Sequence, residues 1–147
     1  MKNMNDIKKV LISIKGTPLY SMDEDEVFEL MTDGEYCQKN GIRSFSYIGS
    51  ELTGEEGTLT TFDVEKDRVI LKRNDGINGD MIFTENQKQH FLYSTPFGSV
   101  MMGIDTHSIV NNMADDGGNL EIRYDIEVDN MPVSQNLFEI SVRSCPQ

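Results

Sequence analysis

The stretch Asn119-Leu120-Glu121-Ile122-Arg123-Tyr124-Asp125-Ile126-Glu127-Val128-Asp129 decides the fold class. Leu120, Ile122, Tyr124, Ile126 and Val128 occupy every second position, and charged Glu121, Arg123, Asp125, Glu127 and Asp129 fill the positions between. Successive side chains of a strand point to opposite faces, whereas a helix repeats about every 3.6 residues. Strict alternation therefore predicts a strand with one face in a core and the other in water. That is the pattern of an antiparallel sheet covered on one side.

The pattern extends outward from there. Upstream, Asp115-Asp116-Gly117-Gly118 reads as a hairpin turn back to Ile104–Met113. Downstream, Asn130-Met131-Pro132 reads as a turn into Ser134–Arg143, with Phe138, Ile140 and Val142 inward. Thr95-Pro96-Phe97-Gly98, with Pro in its second position, separates Gln89–Thr95 from Ser99–Gly103. Further back lie the predicted strands Met81–Thr84, Arg68–Arg73, Thr58–Val64 and Ile42–Ser50. Asn40-Gly41 is the strongest turn signal and predicts a type I′ hairpin to a strand over Glu26–Lys39, bent or bulged at Asp33-Gly34.

Ser21-Met22-Asp23-Glu24 has the form of a capping box. The alternation of Phe28, Leu30, Thr32, Gly34 and Tyr36 outweighs the helix it would start. Ile7–Gly16 reads as the first strand, ended by Thr17-Pro18, and residues 1–6 as a flexible polar tail.

Strands with turns every ~8–12 residues and no convincing helix predict one all-β domain over residues 1–147. Antiparallel hairpins with one apolar face each must stack or close, and short up-and-down connections favour closure. The expected architecture is an antiparallel up-and-down β-barrel of about 8–10 strands, closed or nearly so.

Composition narrows function. Net charge is −12, from 25 acidic and 13 basic residues. A surface this acidic repels phosphate backbones and anionic lipid, so neither nucleic acid nor a membrane is an expected partner. Cys37 and Cys145 form no CxxC pair and read as free thiols in a reducing compartment. No apolar run is long enough for a signal core or a membrane span, so the expected location is cytoplasmic.

Four stretches carry a resemblance: Val10-Leu11-Ile12-Ser13-Ile14-Lys15-Gly16, Glu51-Leu52-Thr53-Gly54-Glu55-Glu56-Gly57-Thr58, Tyr93-Ser94-Thr95-Pro96-Phe97-Gly98, and Tyr124-Asp125-Ile126 through Val133-Ser134-Gln135-Asn136. In this order the chain resembles the YwiB-like family of small bacterial proteins of unassigned function. The resemblance implies a calycin-type barrel, related in shape to lipocalins and cytoplasmic fatty-acid-binding proteins. It supplies no activity, cofactor or site.

The residues themselves offer little catalytic chemistry. His90 and His107 stand apart, with no nearby Cys or His in the spacing of a zinc site. No GxSxG or Ser-x-x-Lys pattern supports a nucleophile. Neither a metal, a cofactor nor a catalytic residue is assigned. Glu51, Glu55 and Glu56 crowd a glycine-bounded loop and leave one enzymatic alternative, acid/base work at a barrel rim.

Polar residues on inward faces are more informative. Arg73 shares a face with Val69 and Leu71, and Thr58 and Thr60 share one with Phe62. Tyr36, Tyr93 and Tyr124 also sit on apolar faces. A guanidinium inside a barrel needs a partner, either a carboxylate such as Glu51 or Glu139 or an anionic ligand.

The expected function is a binding module for one small, partly apolar or anionic molecule. Arg73 is its anchor, Thr58, Thr60, Tyr36, Tyr93, Tyr124 and Glu51 are polar contacts, and Phe28, Phe62 and Phe83 are walls. The alternative is a solid-core structural or protein-interaction domain with an acidic surface. Met31, Met81, Met101, Met102 and Met113 fit a lined cavity or a gap-filled core.

Overall fold

Alternating sequence becomes strand nearly everywhere in the structure, a computed structural model that describes residues 7–21, 27–49, 57–74, 80–95 and 97–145. Its strands are β1 Ile7–Ser21, β2 Phe28–Lys39, β3 Ile42–Ile48, β4 Leu59–Val64, β5 Arg68–Arg73, β6 Met81–Thr84, β7 Gln87–Thr95, β8 Gly98–Ala114, β9 Gly117–Val128 and β10 Met131–Ser144. They form one antiparallel sheet in the order β6-β5-β4-β3-β2-β1-β10-β9-β8-β7. Every neighbour in that order is also a neighbour in sequence, except β1 and β10. Pairing of the two terminal strands, from Val10↔Ser144 to Ser21↔Ser134, therefore curls the meander into a barrel.

The seam lies between β6 and β7, where no registered pairing occurs among the described residues. Their connecting turn is tied to β8 instead. The Asn86 amide donates to the Thr106 carbonyl at 2.8 Å, and the Ile109 amide donates to the Glu85 carboxylate at 2.8 Å. The expected all-β, up-and-down, nearly closed barrel is what forms. No helix among the described residues is long and apolar enough to cross a membrane.

Turn chemistry behaves largely as its residues demand. Asn40 and Gly41 both have positive φ, 54° and 80°, as a type I′ turn requires. Asp129 and Asn130 do the same at 50° and 67°, so the β9–β10 turn falls one residue earlier than Asn130-Met131-Pro132, and Met131 already pairs with Val128.

Three local expectations change. β1 does not stop at Thr17-Pro18. Pro18 pairs with Asn136, and a register shift follows before Tyr20, which accommodates the missing N–H. Ser99–Gly103 and Ile104–Met113 are one strand, interrupted by a register shift that leaves His107 as the extra residue between Thr106 and Ser108. Asp33-Gly34 carries no bulge, since pairing with β1 runs unbroken from Cys37 to Phe28. β3 instead parts from β2 beyond Glu35↔Ser46, beside Gly34. The capping-box segment falls at 21–24, of which 22–24 lie outside the described residues.

The barrel interior holds a continuous chain of aromatic rings. Phe45 stacks on Phe62 at 4.9 Å, Phe62 meets Phe138 across the lumen at 6.0 Å, Phe138 meets Tyr124 at 6.3 Å, and Tyr124 meets Phe83 edge-on at 5.1 Å. On one side of this chain Val10, Ile12, Val64, Val69, Leu120, Ile122 and Val142 are fully buried. Met113 is buried there as well, and Met81 packs against the cluster as gap-filling thioethers do. Met31 and Met101 are exposed.

Cys37 and Cys145 remain free thiols. Cys37 pairs with Ile7 on one side of β1, and the Cys145 amide bonds Lys9 on the other. With β1 between them their Cα atoms are about two strand spacings apart, ~9–10 Å, which is beyond disulfide reach.

Gly34 is the tightest point in this packing. A Cβ there would fall on the Ile12 side chain and the Ser46 carbonyl oxygen. Gly34→Ala should lower stability by about 1–3 kcal/mol through overpacking. The check is a urea titration showing a lower midpoint at unchanged slope.

Candidate functional site

On the other side of the aromatic chain the described residues line a cavity of about 420 Å³. Strand pairing explains its lining. Tyr47, Thr60 and Arg73 are direct cross-strand partners on β3, β4 and β5, so they form one inward row. Pro18, Asn136 and Tyr124 form a second row on β1, β10 and β9. Beneath these rows lie apolar residues two positions further along each strand: Phe62, Leu71 and Phe138. Phe28 lines the cavity and is 48 % exposed, which places it at the mouth. The result is a polar collar over an aromatic floor.

Thr60 gives the collar its chemical character. The residue is 1 % exposed, and its Oγ1 has no hydrogen-bond partner among the described residues. Leaving a buried hydroxyl unsatisfied costs about 1–3 kcal/mol, and valine has nearly the same shape. Thr106 extends the second row beyond Tyr124 and carries the same liability at 0 % exposure. Arg73, half-buried, brings a guanidinium to the cavity beside Thr60. Burial pushes the Tyr124 hydroxyl up to about 12, so at neutral pH it remains a donor.

The structure thus gathers Arg73, Thr60 and Tyr124 of the expected binding residues, with Phe28 and Phe62 as walls. The others are placed elsewhere. Thr58 precedes β4 and does not line the cavity; its carbonyl accepts from the Gly49 amide at 2.8 Å. Tyr36 is buried on the packed side, where its hydroxyl donates to the Ala114 carbonyl at 2.5 Å. Phe83 is buried behind Tyr124. The Tyr93 backbone pairs with Val100. Glu51, Glu55 and Glu56 lie outside the described residues. Glu139 cannot reach Arg73, because it faces outward between Lys15 and Glu121.

Tyr47, Asn136 and Phe138 complete the site. Asn136 precedes Phe138 by two positions on the same face, and Tyr47 follows Phe45 by two, so alternation alone could have found both.

Two clusters form on the outer surface. Glu127, 6 % exposed, lies outward on β9 and is held by Lys88 Nζ at 2.8 Å. Asp105 and Asp125 stand directly opposite each other, an unfavourable like-charge pair. His107, the extra residue of the bulge, places Nε2 2.9 Å from the Asp125 carboxylate and relieves it. The ligating atoms of these three residues all lie within 4.8 Å of one another. The separation of the two histidines in sequence concealed this grouping, since the partners of His107 are aspartates brought in by strand pairing.

Comparison with known proteins fits the same frame. A family model described as a domain of unknown function (DUF1934) matches residues 12–140, most of the chain. The chain belongs to this family. The crystal structure of ywiB protein from Bacillus subtilis is similar at a TM-score of 0.78 and 20 % sequence identity, covering 95 % of this chain and 94 % of that one. At that identity the likeness shows the fold, a calycin-like barrel, and bears out the YwiB-like resemblance. No curated protein matches.

The buried phenols make stability fall at high pH. Burial raises Tyr124 from 10.0 to about 12. Burial likewise raises Tyr36 from 10.0 to about 12, opposed by Arg43 and reinforced by Asp115 and Asp116. An unfolded tyrosine loses its proton near pH 10, so between about pH 10 and 12 the folded state holds more protons than the unfolded one. Stability should decline across that window by about 1.4 kcal/mol per pH unit for Tyr124, and by less for Tyr36, whose charged neighbours are screened by solvent. Tyr124→Phe should flatten the decline in denaturant midpoint; an unchanged slope would show that Tyr124 ionises normally.

Proposed function

We propose that this barrel binds one small, partly apolar, anionic molecule in the cavity between its collar and its aromatic floor. The observation that carries this reading is Thr60: a buried hydroxyl with no partner among the described residues, adjacent to a guanidinium, in a cavity with an apolar floor. Such a group lowers the stability of the protein alone, and a ligand oxygen beside Arg73 would satisfy it. Arginine suits the role because its planar fork can donate two parallel hydrogen bonds to one carboxylate. Ring faces below accept the apolar part of the ligand.

The proposed setting is the cytoplasm, with which two separated thiols are compatible. Nucleic acid and membrane are not proposed partners, given the net charge of −12.

A second reading, a protein-interaction domain with an acidic surface, draws support from the outer face. An open groove of about 690 Å³ crosses β2, β1, β10, β9 and β8. Ser13, Ser141 and Asn119 form one row of it, and Glu29, Lys15, Glu139 and Glu121 form the next. Three carboxylates to one ammonium suit a basic partner, and salt-sensitive co-purification of such a partner would favour this reading. The cavity reading ranks first because it brings a hydroxyl, a guanidinium and an aromatic floor into one partly enclosed space, whereas the acidic row is open to solvent.

Native mass spectrometry of freshly purified protein should show a retained small molecule. Thr60→Val should raise the stability of the ligand-free protein by about 1 kcal/mol while weakening ligand retention. Arg73→Gln should weaken retention by roughly ten- to a hundredfold, the worth of a charge-assisted hydrogen bond. A bare-chain mass, with both variants retaining nothing less than the parent, would remove the reading.

A further inference from the structure

We propose that Asp105, His107 and Asp125, on the outer wall of the barrel, bind a divalent first-row transition-metal ion. The site is independent of the cavity, which lies on the inner face of the sheet.

Strand pairing builds the group. Asp105 on β8 and Asp125 on β9 are direct cross-strand partners, so their carboxylates share one patch of the wall. His107 is the extra residue of the β8 bulge, and its Nε2 lies 2.9 Å from Asp125 Oδ2. One ligating atom from each of the three falls within 4.8 Å of the other two. Ligands of a single ion with bonds of about 2.0–2.2 Å stand roughly 3–4 Å apart. Small rotations of two carboxylates and one ring therefore close the group on an ion. All three residues sit on paired strands, which hold ligands more firmly than a loop does.

Asp125 is the residue most in need of a cation. Its side chain is 19 % exposed, and its Oδ1 is buried with no hydrogen-bond partner among the described residues. A buried polar atom without a partner is costly, and more so when it carries charge. His107 reaches only the other oxygen. Charge is unbalanced as well, since an imidazolium would bring one positive charge to two carboxylates, whereas a divalent ion brings two. Neighbouring cations do not make up the difference. Lys88, opposite Asp105 on β7, holds both oxygens of Glu127, at 2.8 and 3.0 Å. Arg123 is exposed two positions before Asp125 and pairs across the ladders with Ser108 and Leu137.

The donor set selects the ion. One imidazole nitrogen with two carboxylates suits Zn²⁺ or Mn²⁺, while Mg²⁺ and Ca²⁺ take oxygen ligands. On binding, the Nε2 lone pair turns to the metal and the ring carries its proton on Nδ1. Three protein ligands on an open wall leave the remaining positions to water.

The test uses the full chain, freed of metal with a chelator and dialysed. Calorimetry measures affinity, and amide NMR with Mn²⁺ locates the ion. Zn²⁺ should bind more tightly than Mn²⁺, and Mn²⁺ at least about tenfold more tightly than Mg²⁺. Mn²⁺ has little affinity for thiolate, so its signal is free of Cys37 and Cys145. It should broaden amide signals selectively at residues 104–108 and 123–126. Asp105→Asn should lower the affinity for both ions by at least about tenfold. The same change removes a like-charge repulsion, so the metal-free variant should unfold at an equal or higher urea midpoint. A residue with a purely structural role would not separate these two readouts. His107→Gln should weaken Zn²⁺ comparably, and His90→Gln should leave it unchanged.

No heat and no selective broadening at about 1 mM Zn²⁺ or Mn²⁺ would overturn the proposal. So would undiminished affinity in Asp105→Asn, or broadening spread over Glu29, Glu121 and Glu139, because either result would mean diffuse attraction of cations to an acidic wall.

Discussion

The contact of Phe62 with Phe138 across the lumen divides this barrel into two unlike halves. It joins strands from opposite walls and continues through Phe45, Tyr124 and Phe83 into a single ring-to-ring path. Each such pair adds about 0.5–1.5 kcal/mol beyond the burial of its area. Below it, aliphatic side chains fill the space as they would in any packed core. Above it, the rings form a floor that stops short of filling the interior. The solid half and the hollow half follow from the same contact.

The hollow half is less stable than it need be. Thr60 places a hydroxyl there where an aliphatic group of the same shape would fit, and it finds no partner among the described residues. Small barrels are either filled by side chains or hold one ligand. This one is filled at the Tyr36 end, where a tyrosine hydroxyl is satisfied by the Ala114 carbonyl, and left polar and unfilled at the Thr60 end. A satisfied tyrosine at one end and an unsatisfied threonine at the other mark the chemical difference between the two halves.

The outer face shows how strand register creates groupings that have no local cause. Asp105 meets Asp125 and Glu139 meets Glu121 because the β8–β9 and β9–β10 registers align them. The first pair is relieved by His107, which the bulge in β8 aims at it. Glu127 is buried on this nominally wet face, and Lys88 compensates it from β7.

By itself the sequence determined the strands, most of the turns and the face on which each side chain lies. Those properties depend on neighbours one or two residues away: period-two alternation in Leu120 to Val128, and positive φ at Asn40-Gly41. Parity alone put Thr60, Arg73 and Tyr124 inside. Tertiary structure decided which inward residues share a space. Tyr36 and Tyr124 are alike in alternation, yet they stand at opposite ends of the barrel because strand tilt and register set depth, and depth leaves no mark on local sequence. The same holds for Asp105, His107 and Asp125, and for the crossbar of Phe62 and Phe138. Closure through β1 and β10 joins the two ends of the chain, a contact whose partners lie too far apart in sequence for any local pattern to encode.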